Sequence, residues 1–447
     1  MNFFNRIWTF ILNLFGRKSV APNQGSSTDQ FTQDYEETGR VNFTAIMSAA
    51  LANKAVTDSG FNVTDEAGND TRRSEWIQEG LHIVWDKIAR EVTQELGKGG
   101  KVFVPYVQDG TVYVDSIDQS RMRITAMQGD EITGATLMAE SVFVGKDQYF
   151  RWCDYTLDGN VHTIRQRVTN ANGAEVPLST VPQWEDIEPE FSIAGVEHLL
   201  LAYLKSPADN RTDDQMYGVP ITYGSETIIE ELHNCVRDMA REYDVKKAFV
   251  GADSRMFGKD NQLPANGLFR KFNGTNLTGD AFWEVYDPAI RDSAYLNRYE
   301  HLCGLLESSV GVSPGILTHP VTQAATATEI KAANAATFAY IDAIRSSIET
   351  AFDQLAYAMD VLAEYTGATP AGAMGERQIT WDWDTSMTES STETFSQMSE
   401  LESRGLLLPE RLVAWTTGMD MGAAEEEVRA AQERKSRPID ELLKEEE

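Results

Sequence analysis

The spacing of apolar residues changes period twice along the chain. Phe43, Ile46, Met47, Ala50 and Leu51 fall at helical spacing. Ile77, Leu81, Val84, Ile88 and Val92 do the same within residues 74–96, read as one helix that Gly97, Gly99 and Gly100 stop. The period then becomes alternating. KVFVPYV, TVYVDSI, RMRITAM, SVFVG, QYFRWCDYTL and VHTIRQRVT are strand-like runs between residues 101 and 200. Asp109-Gly110 and Asp158-Gly159-Asn160 supply hairpin turns, so an antiparallel sheet is expected there.

After Tyr217-Gly218-Val219-Pro220 the helical period returns. Ser225 is placed to cap a helix carrying Ile228, Leu232, Val236, Met239 and Tyr243 up one side. Its acids come early and Lys246 and Lys247 come late, as the helix dipole prefers. Glycines and prolines then punctuate short strand-like pieces, LFRKF and FWEVY, so residues 248–288 read as a small β-containing insertion. A second helix, at about 290–310, ends at Gly311-Val312-Ser313-Pro314-Gly315. A polar stretch of small residues leads into the longest helix, about 326–366, striped by Ile341, Ile344, Ile348, Leu355, Met359 and Leu362. The strand QITWDWD, two further helical stretches and a charged tail close the chain, and the fold class is α+β.

The first eighteen residues differ from the rest. Phe3, Phe4, Ile7, Trp8, Phe10, Ile11, Leu12, Leu14 and Phe15 are apolar, while Asn2, Asn5, Thr9 and Asn13 form one narrow polar stripe. The run is interrupted, too short to span a bilayer, and followed by Arg17-Lys18 where a signal peptide would have its charge in front. An amphipathic docking helix is expected, with interfacial membrane binding and a signal as alternatives. Residues 19–40 are rich in Ser, Thr, Gln and Gly and read as a linker.

Composition changes the picture mainly through charge. Sixty-nine acids against 39 bases give a net charge of −30 in 447 residues. Sequence-independent affinity for DNA comes from cations that replace its counterions, so an acid excess this large argues against broad adhesion to nucleic acid. Cys153, Cys235 and Cys303 are odd in number and show no CxxC spacing, so neither a disulfide framework nor a zinc site is expected.

The search for catalytic chemistry returns little. Six histidines stand apart without an HxxxH pair, GKGGK at 97–101 is not a P-loop, and no GxSxG occurs. Asp382 and Asp384 lie two apart on a strand, so both carboxylates could share a cleft, as in glycoside hydrolysis. The same alternation puts Trp381 and Trp383 on the opposite face, as in any half-buried strand. No cofactor is expected.

The order of parts in the second half carries a resemblance. YGSETIIEELHNCVRDMAREYDVKKAFVG, then VYDPAIRDSAYLNRYEHLCGLLESSVGVSPGIL, then ATATEIKAANAATFAYIDAIRSSIETAFDQLAYAMDVL, and finally SELESRGLLLPERLVAW resemble the portal proteins of tailed bacteriophages, the SPP1-like family in particular. The likeness rests on pattern and order, best over residues 217–415, and includes no short diagnostic motif. It implies a portal fold: a mixed α/β wing at 41–224, stem helices at 225–247 and 289–311, and a clip at 248–288. It further implies a tunnel loop at 312–326, a long spine helix with a wing return strand at 327–385, and a helical crown at 386–447.

By the same resemblance, Thr318, His319, Thr322, Gln323, Thr326 and Lys331 would face DNA, and Arg255, Lys259, Arg270 and Lys271 would lie where partners dock. The chain would be a non-enzymatic subunit of a ring of typically twelve copies at one capsid vertex, passing double-stranded DNA during packaging and ejection. Terminase, a head–tail adaptor, the major capsid protein and scaffolding protein would be its partners. It would reside in the virion, and in the host cytoplasm during assembly. An acidic wall suits such a channel, because it lowers phosphate affinity. Two other readings remain from the residues themselves: a carbohydrate-acting hydrolase using Asp382 and Asp384, and a membrane-associated scaffold anchored by residues 1–18.

Overall fold

A computed structural model describes residues 41–65, 67–108, 110–212, 216–245, 249–253, 269–272, 283–286, 289, 291–319, 327–368, 377–384, 398–417, 419 and 421–436. Helix α1 (Phe43–Val56) opens on Asn42, whose side chain accepts the Ala45 N–H at 2.9 Å. Helix α2 (Arg72–Trp85) begins with a reciprocal pair. Thr71 Oγ1 accepts the Ser74 N–H, and Ser74 Oγ accepts the Thr71 N–H.

The run expected as one helix over 74–96 forms two. Helix α3 (Ile88–Lys98) starts after Lys87, which leaves helical geometry at φ −121°, ψ 8°, and whose N–H reaches back only three residues to Val84 O. The apolar stripe continues across this break, so periodicity alone does not reveal it. The break lets the two segments serve different surfaces. Trp85 joins Phe61, Phe352 and Trp381 in an aromatic cluster with centroids 5.4–5.9 Å apart. Val92 and Leu96 are buried where α3 packs on α1.

Strands β2 (Gly100–Gln108), β3 (Thr111–Asp118) and β10 (Ala202–Lys205) form an antiparallel sheet in the order β10-β2-β3. Strand β2 is buried along all but its last residue. Lys101 is tolerated there because its ammonium reaches Asp118 (2.8 Å), Gln94 (2.7 Å) and Glu91 (3.2 Å).

The alternation further along predicts an antiparallel sheet, and a six-stranded one forms. It runs β4 (Met122–Gln128), β5 (Glu131–Val144), β6 (Asp147–Asp158), β7 (Val161–Asn170) and β8 (Glu175–Val176), with β9 (Glu190–Ala194) also on β7. The β6–β7 hairpin closes at Asp158 opposite Val161, with Gly159 at φ +58° in the first turn position, the conformation glycine adopts without strain. One core unites both sheets through Val102, Val104, Ile117, Leu137, Tyr155 and Leu201. A smaller one gathers Val168, Val181 and Ile187 around Trp184, whose indole N–H donates to Glu140 at 2.8 Å.

Helices α4 (Glu226–Val245) and α5 (Asp292–Val310) flank a three-stranded sheet in the order β12-β11-β13, built from β11 (Phe249–Asp253), β12 (Phe269–Phe272) and β13 (Trp283–Tyr286). Helix α6 (Ala327–Thr366) has 40 residues, about 60 Å at 1.5 Å per residue. Its expected stripe, Ile341, Ile344, Ile348, Leu355, Met359 and Leu362, is buried, each side chain contributing ~1.5–3 kcal/mol. Arg73 ties α2 to α6 through the Asp360 carboxylate and carbonyl (2.7 Å) and Glu364 (3.1 Å). Arg345 donates to Ala55 O at the end of α1 (3.0 Å). Strand β14 (Gln378–Asp382) pairs with β1 (Gly60–Thr64).

A second compact unit comprises Ala324–Ala332 and Asp382–Glu447. Its helices α7 (Pro409–Thr417) and α8 (Met421–Ser436) pack on each other, with Ala424 and Val428 buried. Among the described residues no helix is long and apolar enough to cross a membrane. Residues 1–40, where an apolar helix and a linker are expected, lie outside the described residues.

Candidate functional site

The site begins with the α4/α5 pair. Polar partners fix its antiparallel register: Ser225 Oγ with Ser309 Oγ (2.7 Å), Arg298 with Glu231 (2.6 Å), Arg291 with Glu242 (3.0 and 2.8 Å), and Tyr243 OH with Asp292 (2.6 Å). Leu232, Cys235, Cys303, Leu306 and Val310 are buried on it. The three cysteines are free thiols, and burial pushes each of them up in pKa. Ser225 fills the expected start position only in part. Its carbonyl accepts the Ile228 and Ile229 N–H groups, while its hydroxyl is spent on Ser309.

Helix α5 ends at Gly311, in the left-handed region at φ +86°. The turn points the chain back over the helix terminus, and Glu307 organises the returning segment. Its side chain is wholly buried. Oε1 accepts the backbone N–H groups of Gly315 (3.1 Å), Ile316 (2.8 Å), Leu317 (2.6 Å) and Thr318 (3.1 Å). Oε2 accepts the Thr318 hydroxyl at 2.7 Å. Burial pushes this carboxyl up, but the donors from Leu317, Thr318 and Ile316 outweigh it and hold it below the ordinary glutamate value. Ser313 and Thr337 exchange backbone-to-side-chain bonds, tying the same loop to α6. The first half of the loop after α5 is therefore a backbone cradle wrapped on one anion.

The residues expected to face DNA meet different fates. Thr318 has its hydroxyl and N–H committed to Glu307, so it tethers the loop. His319 is exposed, 3.9 Å from Glu300. Thr322, Gln323 and Thr326 lie outside the described residues, as do Arg255, Lys259 and the side chain of Lys331. Arg270 and Lys271 are in β12, opposite Gly251 and Ala252 of β11. Strand β14 ends at Asp382, which is exposed, and Asp384 beyond it is half-buried, whereas Trp381 is committed to the aromatic cluster. Among the described residues no group of His, Cys, Asp and Glu could hold a metal ion.

Sequence pattern does not single out Glu307. Its signal is an acid four residues before the helix-ending glycine and within reach of a Ser-Pro-Gly turn, but many helices carry such an acid on a solvated face.

No family model and no curated protein matches the sequence. Among solved structures, the chain is similar to one described as the neck of an empty GTA particle computed with C6 symmetry, at 13% sequence identity and a TM-score of 0.45. That match covers 85% of this chain and 90% of the other.

Proposed function

We propose that this chain is the subunit of a portal-type ring at one vertex of a phage-like capsid, a conduit for double-stranded DNA with no catalysis of its own. The observation that carries the reading is the sequence of parts from 226 to 366. Two antiparallel helices flank a small sheet, a cradled loop comes after them, and a 40-residue helix runs next. In this reading α4 and α5 are the stem, the β11–β13 sheet is the clip that meets terminase and head–tail adaptor, and α6 is the spine. The wing is built on residues 41–224, the crown on 386–447, and about a dozen copies close the ring.

The physical logic is one of low friction. A chain of net charge −30 repeated around a channel presents phosphate with few cations to bind. The loop between α5 and α6 would then meet DNA from a fixed root, because Gly315–Thr318 are cradled by Glu307. The particle would carry the protein at its portal vertex, assembled in the host cytoplasm with capsid and scaffolding proteins.

Deletion of residues 319–324, which leaves the cradle intact, tests the reading inside assembling particles. The expected result is normal rings and capsids with impaired packaging or retention of DNA. Particles that fill and hold DNA normally would remove the loop from that role.

A further inference from the structure

The α4/α5 pair has a face that the rest of the described chain does not finish covering. Ile229, His233 and Val236 share one stripe of α4, and Leu296, Tyr299 and Cys303 share one of α5, by their three- and four-residue spacing. Phe43 sits over both stripes, its ring 5.6 Å from His233 and 6.4 Å from Tyr299. Beyond Phe43 the apolar surface continues. Val236 and Met239 are half-buried, and Leu296 is 54% exposed. An exposed leucine alone means little, but here it extends a stripe already partly covered.

Next to this surface stands the start of the described chain. Val41 O accepts a hydrogen bond from His233 Nε2 at 2.8 Å, which places the first described residue against α4. Those residues contain the strongly apolar stretch 3–15 and a polar linker at 19–40. By its composition a linker of that length would have an end-to-end distance of about 26 Å, which would keep its far end near the stripe at roughly millimolar effective concentration. Charge agrees as well. The first twenty-eight residues carry Arg6, Arg17 and Lys18 and no acid, while Asp292 and Glu300, both exposed, bracket Leu296 one helical turn to either side.

We infer that residues 3–15 form an amphipathic helix that docks on the Val236–Leu296 face of the α4/α5 pair in the same chain, completing a three-helix packing. The inference does not depend on the ring reading. An apolar stripe that continues beyond Phe43 has room for a further element, and residues 3–15 are an apolar stretch flanked by the complementary charge.

The test uses the 447-residue chain and its Ile7→Asp/Ile11→Asp variant, which breaks the apolar face of the segment without touching the described core. Amide hydrogen exchange at residues 236–243 and 292–300 should rise at least tenfold in the variant. In the reverse arm, Leu296→Asp should expose Arg6 and Arg17 to trypsin. Equal exchange in the two proteins overturns the inference. It is also overturned if exchange is unchanged and the variant instead loses binding to vesicles of anionic phospholipid, which would assign residues 1–18 to a membrane. Protection that persists in the variant and vanishes on dilution would mean that a second copy covers the face, and this too rejects the proposal.

Discussion

Replacing Glu307 by glutamine removes the charge of the loop anchor while preserving its size. In the native chain one carboxylate gathers four backbone N–H groups and one hydroxyl. Four donors on one oxygen are shared contacts, so they count as roughly two full hydrogen bonds. A bond to a charged acceptor contributes ~1.5–3 kcal/mol against ~0.5–1.5 for a neutral one. The glutamine variant should therefore lose about 2 kcal/mol of local anchoring, a factor of roughly 30. Hydrogen exchange at Gly315–Thr318 near neutral pH reads this directly, and those amides should exchange ~30-fold faster. Because the native carboxyl is held below its ordinary value, its contribution is complete above the usual glutamate range. It is lost as pH falls through the folded value. After correction for intrinsic rates, the two proteins should converge in acid. Equal protection at neutral pH would refute the cradle.

His162 is fully buried with its pKa lowered to about 4 by desolvation, so the unfolded chain takes up the proton first. Stability should be complete above pH 6.5 and fall by about 2 kcal/mol between pH 7.5 and 5, a dependence that His162→Gln removes in urea titrations. Glu95 is buried and its pKa is raised well above the ordinary value by desolvation, and among the described residues its Oε1 has no hydrogen-bond partner. A raised carboxyl loses stability as pH rises, so Glu95→Gln should be more stable than the native protein at pH 8, with the gap narrowing toward pH 5. Gly99 lies at φ +98°, and a Cβ there would stand 2.3 Å from Gly218 O, whereas Gly110 at φ +78° faces open space. Gly110→Ala should cost only the left-handed penalty of ~1–2 kcal/mol, and Gly99→Ala clearly more, by thermal unfolding.

Local periodicity carries much of the architecture. The alternation in residues 101–170 announces the antiparallel meander, and the stripe from Ile341 to Leu362 announces the buried face of α6. The hidden parts depend on contacts far apart in sequence. The break at Lys87 interrupts no stripe, since it is made by Trp85 turning to Phe352 and Trp381. The pairing of β14 with β1 joins residues about three hundred positions apart, which no local pattern encodes.

The candidate site is legible in the same uneven way. The helix–sheet–helix order and the short loop can be read from glycines, prolines and period. The role of Glu307 cannot, because an acid at a helix end is ordinary until the chain folds back over it. Thr318 is recognisable as a loop residue, but its inward bond depends on that same fold-back. Asp382 shows the converse. Its i, i+2 relation to Asp384 suggests a shared cleft, yet the strand ends at Asp382, so the alternation that would align them stops there.

Ring closure is tested by the mass of the purified 447-residue chain in light scattering, with negative-stain images of the same sample. An assembly of about a dozen copies, each 49.8 kDa, around a central hole is expected. A monomer or an open, unclosed aggregate, persisting when capsid and scaffolding partners are co-expressed, would contradict it.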